Sequence, residues 1–273
     1  MQIDFSFLQT LWDSIPPEIQ VAFGRYVAAI ILLVVLLIVS KWQRIRIQKS
    51  LIIGTARGTI QIILMGLILV YIFNLSELLI MFSVLAFMAV FAAYTTAGNL
   101  EKIPGVFKTS LPGIFLGSLS VMAASVLLGV VEPIGEYVIP MGGMVIGNSM
   151  NMSSLVIDRM WSNAQKQRSL LETALALGAN PIQATELTVR ESIESGFLPN
   201  LNRYAALGIV TIPGLMSGMI IGGENPVVAS LFQVIVFIMI FLSSIIAGLV
   251  ASRLFLKEMF NARLQLTVPP PNK

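Results

Sequence analysis

The run Met141-Gly-Gly-Met-Val-Ile-Gly-Asn-Ser-Met-Asn-Met-Ser-Ser154 sets two side-chain amides and several thioethers inside a long apolar stretch. On a helix Met141, Met144, Asn148 and Asn151 share one face, and Gly143, Gly147 and Ser154 fall on another. The small-residue face suits close helix packing. Amides turned toward lipid are costly, so the asparagines must face protein or a wet cavity. Two readings of them stay open: hydrogen bonds between helices, or the lining of a solute pathway. A soft-metal site built from methionine thioethers is a further option, set against the ordinary use of Met as filler in apolar helices. Arg57 and Gln61, four residues apart on an earlier apolar run, also share a face. Arg57 either snorkels to the inner interface or meets a polar group or a substrate inside the bundle.

The absent residue types exclude much other chemistry. With no cysteine and no histidine, the chain forms no disulfide, thiolate or imidazole metal site, zinc protease centre or serine–histidine dyad. The apolar runs hold no Asp or Glu that would serve a proton relay. No Gly-x-x-x-x-Gly-Lys-Ser/Thr loop is present to cradle phosphates. ATP, if it drives this protein, is hydrolysed by another polypeptide, so no catalytic residue is assigned.

The elements that must position these residues read as an all-α, polytopic transmembrane bundle of about seven spans. The apolar stretches run at 22–40, 54–73, 78–97, 110–130, 138–157, 205–222 and 227–251, each near the ~20 residues that cross a ~30 Å hydrocarbon core. Composition agrees: the chain is 11% charged, where soluble domains reach about 25%. With the N-terminus outside and the C-terminus inside, all of the seventeen Lys and Arg except Arg25 fall in or beside inner segments. Arg203 is counted among them. The outer segments carry Asp4, Asp13, Glu18, Glu77, Glu132, Glu136 and Glu224. Such a bias orients a chain in the bilayer. The net charge of +3 therefore reflects inner loops beside anionic lipid rather than nucleic-acid binding.

Residues 1–273 read as one membrane-embedded domain. Within 1–21, Phe5, Leu8, Trp12 and Ile15 predict an amphipathic helix on the outer interface, stopped at Pro16-Pro17. Thr211-Ile-Pro-Gly-Leu-Met-Ser-Gly218 predicts a sixth span kinked at Pro213, with Gly214, Gly218 and Gly222 as a packing ridge. The inner segment 158–204 predicts a helix to Leu177, a stop at Gly178-Ala-Asn-Pro181, and a second helix from Ile182 that ends by Pro199. The pair reads as a docking element, with Leu170, Ala174 and Leu177 at helical spacing. Residues 264–273, ending in a proline-rich run, read as a flexible tail.

Glu172-Thr-Ala-Leu-Ala-Leu-Gly178-Ala179-Asn-Pro resembles the docking loop of ABC-transporter permeases, in which an acid, small residues and a glycine seat a helix on the ATPase. Thr173 stands where that pattern has alanine. Pro140-Met-Gly-Gly-Met-Val-Ile-Gly-Asn-Ser-Met-Asn151, Ala56-Arg57 with Gln61, and Leu175-Ala-Leu-Gly-Ala179 resemble the FetB (YbbM) permease family over nearly the whole chain. That family includes bacterial iron-export permeases and plant relatives tied to aluminium tolerance.

The resemblance implies a permease subunit in a bacterial inner membrane. It would pair as a homodimer and be energised by a separate cytoplasmic ATPase resembling FetA, where ATP and magnesium bind. The chain itself needs no cofactor. Iron, or a metal-linked solute, is the implied cargo; its metal ligands are unassigned. Two rivals from other classes are a stand-alone channel or ion-coupled carrier, and a scaffold recruiting a cytoplasmic protein through 158–204.

The native chain has no cysteine, which makes topology directly testable. Glu77→Cys, Glu136→Cys and Glu224→Cys are expected to react with an impermeant maleimide from outside, and Lys166→Cys is not. External labelling at Lys166 would reverse the topology.

Overall fold

A computed structural model describes residues 16–45, 47–72, 77–261 and 263–270. Among them are nine α-helices and no strand: α1 (Pro17–Trp42), α2 (Gln48–Ile72), α3 (Leu78–Asn99), α4 (Val106–Leu127), α5 (Gly135–Lys166), α6 (Arg168–Ala176), α7 (Pro181–Ala205), α8 (Gly214–Ile221) and α9 (Pro226–Glu258). The amphipathic helix expected over 5–15 lies outside the described residues.

Five helices, α1, α2, α3, α4 and α9, are long and apolar enough to cross a membrane. The expected fifth span lies within α5, which at 32 residues is long enough. It is less apolar because Asn148, Ser149, Asn151, Ser153 and Ser154 occupy its middle. A helix flanked by α3, α4, α7 and α9 has no need of an apolar circumference. The expected sixth span, 205–222, is not one helix. α7 runs to Ala205, residues 206–213 are irregular, and α8 has eight residues, about 12 Å of rise.

Local chemistry accounts for that break. Gly208 takes φ +81°, a left-handed backbone that glycine adopts freely. Pro213 disfavours helical backbone at Ile212. It caps the start of α8 instead of kinking a longer helix. A Cβ on Gly214 or Gly218 would meet nothing within 4 Å, and one on Gly222 would meet only the Gly218 and Met219 carbonyls of α8 itself, so the expected glycine ridge makes no close contact with another helix among the described residues. The second helix of the docking element does not end by Pro199, because α7 continues through it to Ala205.

The chain divides into two compact units, Met1–Val70 and Tyr71–Lys273. In the first, α1 and α2 are joined by a tight turn with Arg44 at φ +56° and tied by a 2.9 Å bond between the hydroxyls of Tyr26 and Thr59.

In the second unit α9 packs against α4, α5, α7 and α8. On α4, a Cβ at Gly113 would lie 2.7 Å from the Ala247 carbonyl oxygen, and one at Gly117 would lie 2.6 Å from that of Ser243. Only glycine admits this approach. Gly248 of α9 and Gly196 of α7 likewise receive Met152 and Val156 of α5. One apolar cluster, with Leu85, Ile114, Val145 and Val236, fills one end of the unit. Another, with Val156, Met160, Phe255 and Met259, fills the other. The tail expected to be flexible from residue 264 is held as far as Val268. Thr267 N–H donates to the Met259 carbonyl at 2.9 Å, and Val268 is buried in the second cluster.

Gly117→Ala drives its new methyl into a backbone carbonyl that cannot rotate aside, a misfit of about 1–3 kcal/mol. Its melting temperature is expected to fall by about 3–10 °C. Gly147→Ala, where a Cβ meets nothing within 4 Å, is expected to leave it unchanged. Chromatographic thermal shift in detergent reads both; equal melting temperatures would rule out the α4–α9 contact.

Candidate functional site

α5 presents Asn148 with both ends of its amide engaged. Nδ2 donates to the Met144 carbonyl at 2.8 Å, and Oδ1 accepts from Arg203 Nη1 at 3.1 Å. Arg203 lies in the last turn of α7. That turn is fixed to α9 by the buried bond from Asn200 Nδ2 to Ser244 Oγ, 3.1 Å. Tyr204 adds ring contacts to Phe237 and Phe241, with centroids 5.6 and 5.2 Å apart, and Phe197 packs on Phe241 at 5.4 Å. The guanidinium is therefore placed by three helices.

Beyond Arg203 the helical backbone stops. Gly208 N–H donates to the Thr211 carbonyl at 3.0 Å, and the Val210 and Thr211 N–H groups both turn back to the Ala206 carbonyl at 3.1 Å. α8 then starts beside the first turns of α5, where Gly214, Leu215, Pro140 and Met141 line a pocket of about 370 Å³. Asn148 to Met141 is seven residues, about 10 Å along α5. The non-helical backbone of 206–213 is thus bracketed along α5 by the two ends of this stretch. Within that segment Ile209, Val210 and Ile212 are exposed.

The sequence-predicted residues fare differently. Met141 is buried in an apolar cluster and also lines the α8 pocket, and Met144 packs against that cluster. Asn148 holds Arg203, whereas Asn151 is exposed. Arg57 and Gln61 are exposed on α2, in the other compact unit. Sequence reasoning missed Arg203 as a site residue by counting it with the inner-loop charges. The available signal was the polar run Asn200-Leu-Asn-Arg203, with neither Gly nor Pro between Pro199 and Gly208 to end a helix. Among the described residues Arg203 makes no ion pair; the pairs there are Arg168–Glu172 and Arg190–Glu194. No group of three or more His, Cys, Asp or Glu among them could hold a metal ion.

The docking element forms a second candidate surface. Gly178 stands at φ +94°, and Asn180 and Gln183 close a reciprocal capping box at 2.9 and 3.0 Å. Leu171 is buried, whereas Leu170 and Leu177 are 62% and 84% exposed. Ala174 and Ala179 are partly buried. Glu172 accepts from Arg168 Nε at 2.8 Å, and Arg168 also donates to the Val268 carbonyl. Thr188 Oγ1 donates to Gln167 Oε1 at 2.9 Å. α6 is thus tied to α7 and to the tail while Leu170 and, just beyond its end, Leu177 are left exposed.

Residues 23–260 match the sequence model of a family described as "Uncharacterised protein family (UPF0014)". The chain is similar to the probable iron export permease protein FetB of Escherichia coli K12, 30% identical over 244 residues that cover 88% of this chain and 93% of that one. It is 29% identical over 249 residues to the UPF0014 membrane protein STAR2 of Oryza sativa, 91% of this chain and 87% of that one. It is 30% identical over 240 residues to the protein ALUMINUM SENSITIVE 3 of Arabidopsis thaliana, 88% of each. No solved structure matches the chain.

The Asn148–Arg203 bond should appear as an energetic coupling. Asn148→Leu strips the guanidinium of its partner, and Arg203→Gln removes the charge. A hydrogen bond to a charged group is worth about 1.5–3 kcal/mol, so a double-mutant cycle by reversible unfolding in mixed micelles is expected to give a coupling of about 1–2 kcal/mol. Additive single effects would show that the contact carries no energy.

Proposed function

The chain belongs to the UPF0014 family, and on that premise we propose that it is the permease subunit of an ATP-driven, ABC-type transporter exporting iron or a related metal or solute. The observation that carries this reading is the likeness, along nearly its full length, to a relative whose name states probable iron export. The chain is an integral membrane protein with five helices able to cross a bilayer. In the proposed arrangement it crosses seven times, N-terminus outside. α5 is the shielded fifth crossing; the upper part of α7, the irregular 206–213 and α8 together make a discontinuous sixth.

ATP and magnesium bind a separate cytoplasmic ATPase in this reading, and two permeases pair across the inner membrane of a bacterium. The ATPase seats on the α6–Gly178–α7 corner. The exposed Leu170 and Leu177 and the carboxylate of Glu172 support that assignment, since a short helix with an apolar stripe suits a groove on a partner. The anionic inner leaflet lies against the basic inner loops.

The docking corner gives the test. Gly178→Val adds a branched side chain at a positive φ, which costs about 1–2 kcal/mol, and reshapes the corner. Glu172→Gln removes charge but keeps an oxygen for Arg168. Co-purification of the ATPase and permease-stimulated ATP hydrolysis are expected to fall about tenfold for Gly178→Val and to change little for Glu172→Gln. Wild-type coupling in Gly178→Val would exclude this corner as the ATPase contact. Reconstituted vesicles that move solute without ATP or an ATPase would overturn the permease assignment itself.

A further inference from the structure

The charge of the broken helix bears on what passes it. Arg203 is the charged side chain at the junction of α7 with 206–213, and its described bond goes to a neutral amide at 3.1 Å. A guanidinium offers five N–H donors in a planar fork, so most of its donors have no hydrogen bond among the described residues. The acid nearest along α5 toward α8, Glu136, lines the α8 pocket. It stands twelve residues from Asn148, about 18 Å along the helix, and no ion pair joins it to Arg203. Of the soft ligands that would favour a bare metal ion, Met144 packs on the apolar cluster, and Met141 is buried in it while bordering the α8 pocket; two thioethers without a carboxylate or imidazole beside them are a poor set for iron.

We infer that the solute recognised at this break is an anion, presenting carboxylate oxygens to the Arg203 guanidinium, so that a metal passes as an anionic polycarboxylate chelate rather than as a bare cation. The inference rests on the permease reading. Its physical basis is the sign of the fixed charge. Arg203 is exposed and so open to an approaching solute; its guanidinium repels a divalent cation, and no described carboxylate at the break offsets it. The same group binds a carboxylate through two parallel charge-assisted hydrogen bonds. Asn148 then positions the fork rather than binding metal: one amide N–H donates to the Met144 carbonyl, and Oδ1, the atom a cation would need, accepts from Arg203 Nη1. The carbonyls ending α7 stabilise the guanidinium between passages.

Binding to the full-length protein in zwitterionic-lipid nanodiscs tests this without an ATPase. The probes are radiolabelled citrate, ferric citrate labelled on iron, and ferrous iron alone under reducing conditions. Wild-type protein is expected to bind a citrate-bearing probe saturably. Arg203→Gln should weaken that binding about ten- to a hundredfold, with Arg203→Lys between the two, because an ammonium keeps the charge without the fork.

Asn148→Asp separates a binding role from a structural one and serves if Arg203→Gln does not fold. Its carboxylate occupies the guanidinium internally, so citrate binding should fall to a similar extent with no loss of unfolding midpoint. Binding only with iron upholds the inference in full; binding of citrate alone upholds the anion site at Arg203 and overturns the chelate as its occupant. Unchanged citrate binding in Arg203→Gln and Asn148→Asp would overturn it. So would the absence of saturable citrate binding, or ferrous binding that Asn148→Asp strengthens. ATP-dependent movement of ferrous iron in vesicles would leave the permease reading standing while this inference fell.

Discussion

The approach of α4 to α9 at Gly113 and Gly117 is the constraint on which the second unit depends. Two glycines one turn apart bring the α4 backbone against the carbonyls of Ala247 and Ser243. Lipid gives helices no hydrophobic reason to associate, so contact of this closeness supplies the attraction. Once α9 is set, its other faces are assigned. Gly248 accepts Met152 of α5, and Ser244 accepts the amide of Asn200 on α7. The position of Arg203 follows from a packing event two helices away.

The same unit shows how polar atoms are housed among apolar helices. Ser118, Ser125 and Ser192 donate to carbonyls four residues earlier at 2.6–2.8 Å, which hides each hydroxyl within its own helix. Asn148 does the same with one end only. Its other end is left to a different helix, and this division between self-satisfaction and outward contact distinguishes it from those three serines.

Features governed by neighbouring residues were legible from the chain alone. The helix stop at Gly178-Ala-Asn-Pro181 is a local affair of a left-handed glycine, a capping asparagine and a proline at the first helical position, and it stands as read. The apolar helices were legible for the same reason, and so was the family, from motifs lying close together in sequence. The form of 205–222 was not. Residues 205–222 are apolar enough for a span, and hydropathy cannot distinguish a continuous helix from two pieces separated by Gly208 and Pro213. Nor could charge counting distinguish Arg203 from a loop residue, because its partner lies 55 residues away and only tertiary packing joins them. The α4 glycines went unread while those at 214, 218 and 222 drew attention, since spacing alone does not say which glycine has a neighbour.

The length of α7 has a mechanical consequence. Its 25 residues rise about 37 Å, with the capping box of the docking corner at one end and the guanidinium at the other. It is a strut, packed along its length against α5 and α9. Pro199 lies within it and removes one rung of the backbone ladder about one turn before Arg203. The final turn therefore owes its position less to the ladder behind it than to Asn200 on Ser244 and Tyr204 on Phe237 and Phe241.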